Sequence, residues 1–259
     1  MAKIGLALSG GGARCVAQLG AIARLEEQGL AFDAVSGSSG GSIAGALYAG
    51  GRSPHAILEL LKGIDFRSFL KYHLHRGSLY RVEGAETYLA ETLGLRSFED
   101  LRIPFYCTVV NFRTGVAEYK RSGDLAKLIV ASSALTPIFA PVRYGEELYI
   151  DGGFYDNLPA APLAETCDRI VGINVNPMFE SIPRSFKARL YKSLFIMLNA
   201  NIREGKRLCD LYLEPKDMSQ YSIFNTEEFD LFFELGYREA KRHEAQIAQL
   251  CANSNKGKR

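Results

Sequence analysis

The stretch Asp33-Ala34-Val35-Ser36-Gly37-Ser38-Ser39-Gly40-Gly41-Ser42-Ile43-Ala44-Gly45-Ala46-Leu47 decides the fold. Its centre, Gly37 to Gly41, satisfies G-x-S-x-G with Ser39 in the nucleophile slot. A short apolar strand precedes it and a small-residue helix follows, which is the setting a nucleophile elbow requires. Such a turn holds its serine at sparsely allowed backbone angles, and Gly37 and Gly41 remove the Cβ atoms that would clash on either side. The hydroxyl then projects from the turn beside the positive end of the next helix. Alone, the pattern also fits an ordinary Gly/Ser turn, so its reading depends on the rest of the chain.

One strand earlier stands Ser9-Gly10-Gly11-Gly12-Ala13-Arg14. Lys3 to Leu8 is a short apolar run that predicts a buried strand, and Val16, Leu19, Ile22 and Leu25 recur at helical spacing up to a cap at Gly29. Three glycines between a strand and a helix expose amides at the helix's positive end, a place for an anion or an oxyanion. A dinucleotide fingerprint would need glycine at position 15, where Cys15 stands, and an acid closing the second strand, which Asp33 instead opens. No Gly-Lys-Ser/Thr follows, so a P-loop is excluded. An oxyanion hole for acyl transfer, with Gly10, Gly11 and Gly12 as donors, is the favoured reading.

A serine nucleophile needs a base within hydrogen-bond reach. The four histidines are poor candidates: His55 and His243 sit in polar helical contexts, and His73 and His75 lie in an irregular basic segment. Tyr149-Ile150-Asp151-Gly152-Gly153 instead puts an aspartate at a strand end, where burial could raise its basicity. The same residues also read as a simple Asp-Gly-Gly turn. Asp156, in Asp156-Asn157-Leu158-Pro159, is a rival acid but has the look of a turn or cap residue.

The remaining chain fits one domain over residues 1–252, with a polar basic tail at 253–259. Further strands are expected at 104–111, 116–120, 140–150 (a hairpin turning at Gly145-Glu146), 170–175 and 211–214, and helices at 54–61, 82–93, 125–133, 190–207 and 226–250. The strand–helix–strand–helix opening implies parallel strands with right-handed crossovers. The aromatic and basic segment 63–79 reads equally as a lid or interfacial patch and as a solvated loop over the core. A net charge of +2 gives no case for a nucleic-acid partner. Five scattered cysteines without a C-x-x-C pair argue for reduced thiols in a cytoplasmic setting and against a zinc site. No run approaches the ~20 apolar residues of a membrane span.

The three stretches in this order, Ser9–Arg14, Gly37–Gly41 and Asp151–Gly153, together resemble the patatin-like phospholipase family. Gly45-Ala46-Leu47-Tyr48-Ala49, Ala131-Ser132-Ser133-Ala134 through Pro141, and Asp156–Pro159 extend the likeness over residues 3 to about 176. The resemblance implies a three-layer α/β/α fold with a central, mostly parallel sheet and a catalytic dyad of Ser39 and Asp151. Gly10, Gly11 and Gly12 would form the oxyanion hole, and no metal or other cofactor would be needed. Arg14 matches the family arginine and is expected to orient the loop or attract an anionic head group. Lipid or phospholipid esters are the implied substrates, with transient, peripheral contact at a membrane surface. Two rivals stand beside this reading: a small-ester or thioester hydrolase, and a non-catalytic lipid-binding protein on the same fold. Cys15, where the family has glycine, is expected to alter packing near the hole more than the chemistry.

Overall fold

The computed structural model describes residues 2–65, 70–72, 80–82, 84–91, 94, 96–180 and 182–256. Most of the segment expected as a lid or loop at 63–79, including His73 and His75, lies outside the described residues. The strands are β1 (Ile4–Leu8), β2 (Ala34–Ser38), β3 (Leu70–Tyr72), β4 (Tyr80–Val82), β5 (Phe105–Asn111), β6 (Ala117–Lys120), β7 (Val142–Tyr144), β8 (Glu147–Asp151), β9 (Arg169–Ile173) and β10 (Leu211–Leu213). The helices are α1 (Val16–Glu27), α2 (Gly40–Ala49), α3 (Pro54–Lys62), α4 (Ala85–Glu91), α5 (Leu125–Ser132), α6 (Ala161–Ala164), α7 (Phe186–Ala200), α8 (Ile202–Leu208), α9 (Phe229–Arg242) and α10 (Glu244–Lys256).

The main sheet runs β10-β9-β1-β2-β5-β8-β7, with β6 also on β5. The pairs from β10 to β5 are parallel, while β8, β7 and β6 join antiparallel. The sheet is therefore mixed, parallel through its centre and antiparallel at one edge. Helices cover both faces, giving the expected three layers. Ile4, Leu6 and Leu8 of β1 enter the larger core with α1, α2 and α9, while Ala7 turns to a smaller one shared with Leu163 of α6 and Ile202 of α8. That alternation is the period of two that a covered strand must show.

Two expected helices are each divided. The stretch 190–207 becomes α7 and α8, broken at Asn201, whose side chain donates to the carbonyls of Gly153 (3.3 Å) and Phe154 (2.7 Å). The stretch 226–250 becomes α9 and α10, broken at His243. Past the break, Glu244 pairs with Arg24 and Cys251 donates to the Gln28 carbonyl at 3.5 Å, so α10 folds over the end of α1. Helix α10 runs on to Lys256, so helical structure extends into the tail expected from 253. No helix among the described residues is long and apolar enough to cross a membrane.

Helices α1 and α9 cross backbone to backbone: a Cβ on Gly20 would collide with the Phe233 carbonyl, and one on Gly236 with the Ala17 carbonyl. Neither carbonyl can withdraw without moving its helix. Gly236→Ala is therefore expected to lower stability by about 2–3 kcal/mol through overpacking. Urea denaturation checks this; an unchanged midpoint would mean that the helices are not in such close contact.

Candidate active site

Ser39 sits between β2 and α2 at φ 51°, ψ −128°, and it is the one non-glycine residue at positive φ among those described. That conformation costs on the order of 1–3 kcal/mol and persists only if its surroundings enforce it. They do so at both of its peptide groups. The Ser39 amide donates to Ser132 Oγ (2.9 Å), whose own hydroxyl donates to the Thr108 carbonyl (2.6 Å). The Ser39 carbonyl accepts from Ser42 Oγ at 2.6 Å. Both elbow glycines are sterically required, since a Cβ on Gly37 would meet the Gly41 carbonyl and one on Gly41 the Ser9 carbonyl.

Ser39 Oγ donates to Asp151 Oδ2 at 2.7 Å. Strand β5 sets this meeting, because it pairs with β2 through Ser38–Thr108 and with β8 through Val109–Asp151. Asp151 is 3% exposed, and its second oxygen accepts from the Gly153 amide at 2.8 Å. Gly152 permits the turn, as a Cβ there would meet the Thr108 carbonyl. Burial pushes the Asp151 carboxyl up to about 6, against the opposing pull of its hydrogen bonds to Ser39 and Gly153. The rival acid is engaged elsewhere: Asp156 accepts from the Tyr119 hydroxyl at 2.7 Å and from the Leu158 amide at 3.2 Å, as a turn residue should. His55 lies against the Phe233 ring and His243 Nδ1 against the Glu239 carbonyl, away from the serine.

The glycine loop lies alongside. A Cβ on Gly10 would come within 2.9 Å of the Ser39 Cβ, and Gly12 holds φ 56°. The Gly10 amide donates to the Asn157 carbonyl at 3.2 Å, so it is not a free donor. Among the described residues the amides of Gly11 and Gly12 have no acceptor, and three expected donors thus reduce to two. Arg14 does not line the cavity over the serine. Its Nε donates to the Tyr221 carbonyl at 2.9 Å, Nη2 shares that acceptor, and the guanidinium lies 5.2 Å from the Phe195 ring centroid. Of the two roles expected for Arg14, orienting the loop fits this placement, since Ala13 beside it donates to the Ile223 carbonyl at 2.8 Å.

A cavity of about 500 Å³ opens over Ser39 and Asp151. Ser39, Asp151, Gly12 and Gly40 form its polar end, and its walls are apolar, among them Ile43, Leu89, Ile129, Leu135, Phe224 and Phe229. Cys15 is part of this wall, with its thiol donating to the Ser9 carbonyl at 3.4 Å and pushed up by burial, so it stays protonated. Its sulfur packs where a Cβ on Gly40 would otherwise lie, which fits the expectation of altered packing beside the hole.

Sequence reasoning passed over three contributors. Ser132 holds the elbow amide, Asn157 anchors the Gly10 amide, and Asn176 donates to the Gly10 carbonyl from beyond β9. Ser132 and Asn157 lay inside quoted motifs, but nothing in their spacing shows which distant group each would meet.

A family model described as Patatin-like phospholipase matches residues 6–164, more than half of the chain. Lysophospholipase NTE1 of Phaeosphaeria nodorum is 31% identical over 199 residues, covering 71% of this chain and 13% of that protein. Lysophospholipase NTE1 of Saccharomyces cerevisiae is 30% identical over 190 residues, covering 71% of this chain and 11% of its own length. The chain thus spans a small part of the curated relatives it matches. Among solved structures, VipD from Legionella pneumophila superposes with a TM-score of 0.62 at 16% identity, covering 95% of this chain and 67% of that one. At that identity the likeness is one of fold.

The buried carboxylate has a measurable consequence for stability. With the folded carboxyl pushed up to about 6 from the ordinary 3.8 of an exposed aspartate, the native state binds the extra proton between those values. Stability from this group therefore falls as pH rises from about 4 to 6 and is flat above, a difference on the order of 3 kcal/mol. Asp151→Asn removes that penalty while keeping partners for Ser39 and Gly153. The variant is expected to melt higher than wild type at pH 8 and equally at pH 4; a lower melting temperature at pH 8 would contradict the assignment.

Proposed function

The chain belongs to the patatin-like phospholipase family, and on that premise we propose that it is a serine hydrolase of lipid acyl esters working through Ser39 and Asp151. The observation that carries this reading is the 2.7 Å hydrogen bond from Ser39 Oγ to a buried carboxylate at the polar end of an apolar cavity. Ser39 Oγ attacks the ester carbonyl carbon while its proton passes to Asp151 Oδ2. The oxyanion of the tetrahedral intermediate takes hydrogen bonds from the Gly11 and Gly12 amides, already held in place by the Gly10 and Ala13 hydrogen bonds. Collapse breaks the bond to the alcohol oxygen, which leaves with the proton from Asp151. Water then attacks the acyl-enzyme as it gives a proton to Asp151, and collapse breaks the bond to Ser39 Oγ, which takes that proton back as the fatty acid leaves.

The acyl chain lies along the apolar wall, where burial of each methylene contributes roughly 0.8 kcal/mol. The cavity is of the size that encloses small-molecule ligands. Lysophospholipids are the first substrates to try, since the relatives are lysophospholipases by name, beside short-chain esters and diacyl phospholipid.

Fluorophosphonate labelling with peptide mapping tests the nucleophile. Label is expected on Ser39 alone and none on Ser39→Ala; a folded wild-type protein that takes no label would favour lipid binding without turnover. The base has its own signature. Asp151 must be ionised to accept the proton, so kcat/KM is expected to rise tenfold per pH unit below about 6 and level off above it. A profile flat from pH 4 to 8, or an Asp151→Asn variant with full activity, would remove Asp151 from this role.

A further inference from the structure

Among the described residues, ten large apolar side chains stand exposed, and half of them are grouped. Five belong to helix α7 and the chain entering it: Ile182 (87% exposed), Phe186 (83%), Leu190 and Met197 (61% each) and Ile196. The other five, Phe112, Val116, Tyr155, Met178 and Phe224, are spread over the β5–β6 turn and the segments after β8, β9 and β10. Single exposed apolar residues need no explanation, whereas a cluster of them beside a cavity does.

Helix α7 is two-sided. At 100° per residue, Phe186, Leu190 and Met197 fall within about 40° of one another around the axis, with Phe195 on the opposite side. Phe195 is the inward anchor, lying under the Arg14 guanidinium and against Tyr191 and Phe179. Asn201, at the helix's end, is bonded to the turn that follows Asp151. The exposed stripe therefore has a fixed direction relative to the dyad. Residues 178–200 also carry four basic residues, Arg184, Lys187, Arg189 and Lys192, against the single acid Glu180, in a chain whose net charge is only +2.

We propose that the outer face of α7, with Ile182 before it and Phe224 at the cavity mouth, is a docking surface for an anionic lipid bilayer. An amphipathic helix with an apolar stripe and flanking basic residues lies in the plane of such an interface, its apolar side chains among the acyl chains and its cations at the head groups. Phe224 is 52% exposed and at the same time lines the cavity over Ser39, so an apolar side chain also stands at the opening that would receive lipid. A second copy of the chain would bury the stripe equally well but would leave the basic excess facing its own like. This inference deepens the acyl-hydrolase reading, since it supplies that site's route to lipid, but vesicle binding needs no turnover.

The experiment is co-sedimentation with large unilamellar vesicles of phosphatidylcholine, with or without a quarter of phosphatidylglycerol, using wild type, Ser39→Ala, Phe186→Glu/Leu190→Glu and Arg184→Glu/Arg189→Glu. Wild type and Ser39→Ala are expected to partition at least tenfold more strongly onto the anionic vesicles. Both double variants are expected to lose at least tenfold of that partitioning, while turnover of a monomeric short-chain ester stays at the wild-type level as the sign of an intact fold. Equal partitioning of all four proteins would overturn the proposal. So would a wild type that ignores vesicles but sediments as a dimer which Phe186→Glu/Leu190→Glu dissociates. Loss of ester turnover in the wild type with vesicle binding intact would sink the hydrolase reading and leave the docking surface standing.

Discussion

One strand, β5, brings Ser39 and Asp151 together without contributing a side chain to the pair. Its register with β2 places Ser38 opposite Thr108, and its register with β8 places Asp151 opposite Val109. A serine and a carboxylate separated by 112 positions in the chain are thereby set 2.7 Å apart. Because side chains alternate faces along a strand, a slip of one residue in either pairing would turn Asp151 to the other face of the sheet. The Thr108 carbonyl adds a second link by holding Ser132, which holds the amide of Ser39. Register, elbow and base are one construction.

That construction opposes stability in several places. Ser39 is kept at a strained φ, the Asp151 carboxylate is stripped of water, and the Arg14 guanidinium is 1% exposed with Nη1 lacking any partner among the described residues. The offset comes from the continuous core on the α1–α9 face, where glycines bring two helices to backbone contact.

The parts of this arrangement that were legible in the sequence share a physical feature. Gly37, Gly41, Gly152 and Gly12 are positions where a Cβ would strike backbone, Gly10 and Gly11 ones where it would strike packed side chains, and that exclusion is written locally as glycine. The apolar strands and the hairpin turning at Gly145-Glu146 are likewise local patterns. What could not be read depends on tertiary partners. Nothing in Ile202–Leu208 announces a separate helix; the break at Asn201 follows from its bonds to the carbonyls of Gly153 and Phe154. Nor does the sequence around Asn157 reveal that its carbonyl takes up the Gly10 amide. The sequence places a helix over 190–207 without saying which side faces in, and the inward placement of Phe195 identifies Phe186, Leu190 and Met197 as the outer side.

Arg14 ties the glycine loop to two distant parts of the chain. A guanidinium offers five donors in a fixed plane and cannot relieve its burial by losing a proton. Here two of its nitrogens converge on one carbonyl, Tyr221, and its face meets the Phe195 ring. Two residues further on, the Ile223 carbonyl accepts from Ala13 and stands where a Cβ on Gly12 would lie. The segment after β10 is thus fastened across the back of the loop, pinning Gly12 while Gly11 and Gly12 keep their amides free. A lysine could carry the charge but would bring a single point donor to the carbonyl and no planar face to the ring. The shape of the arginine suits the position, since one planar group meets both the Tyr221 carbonyl and the Phe195 ring.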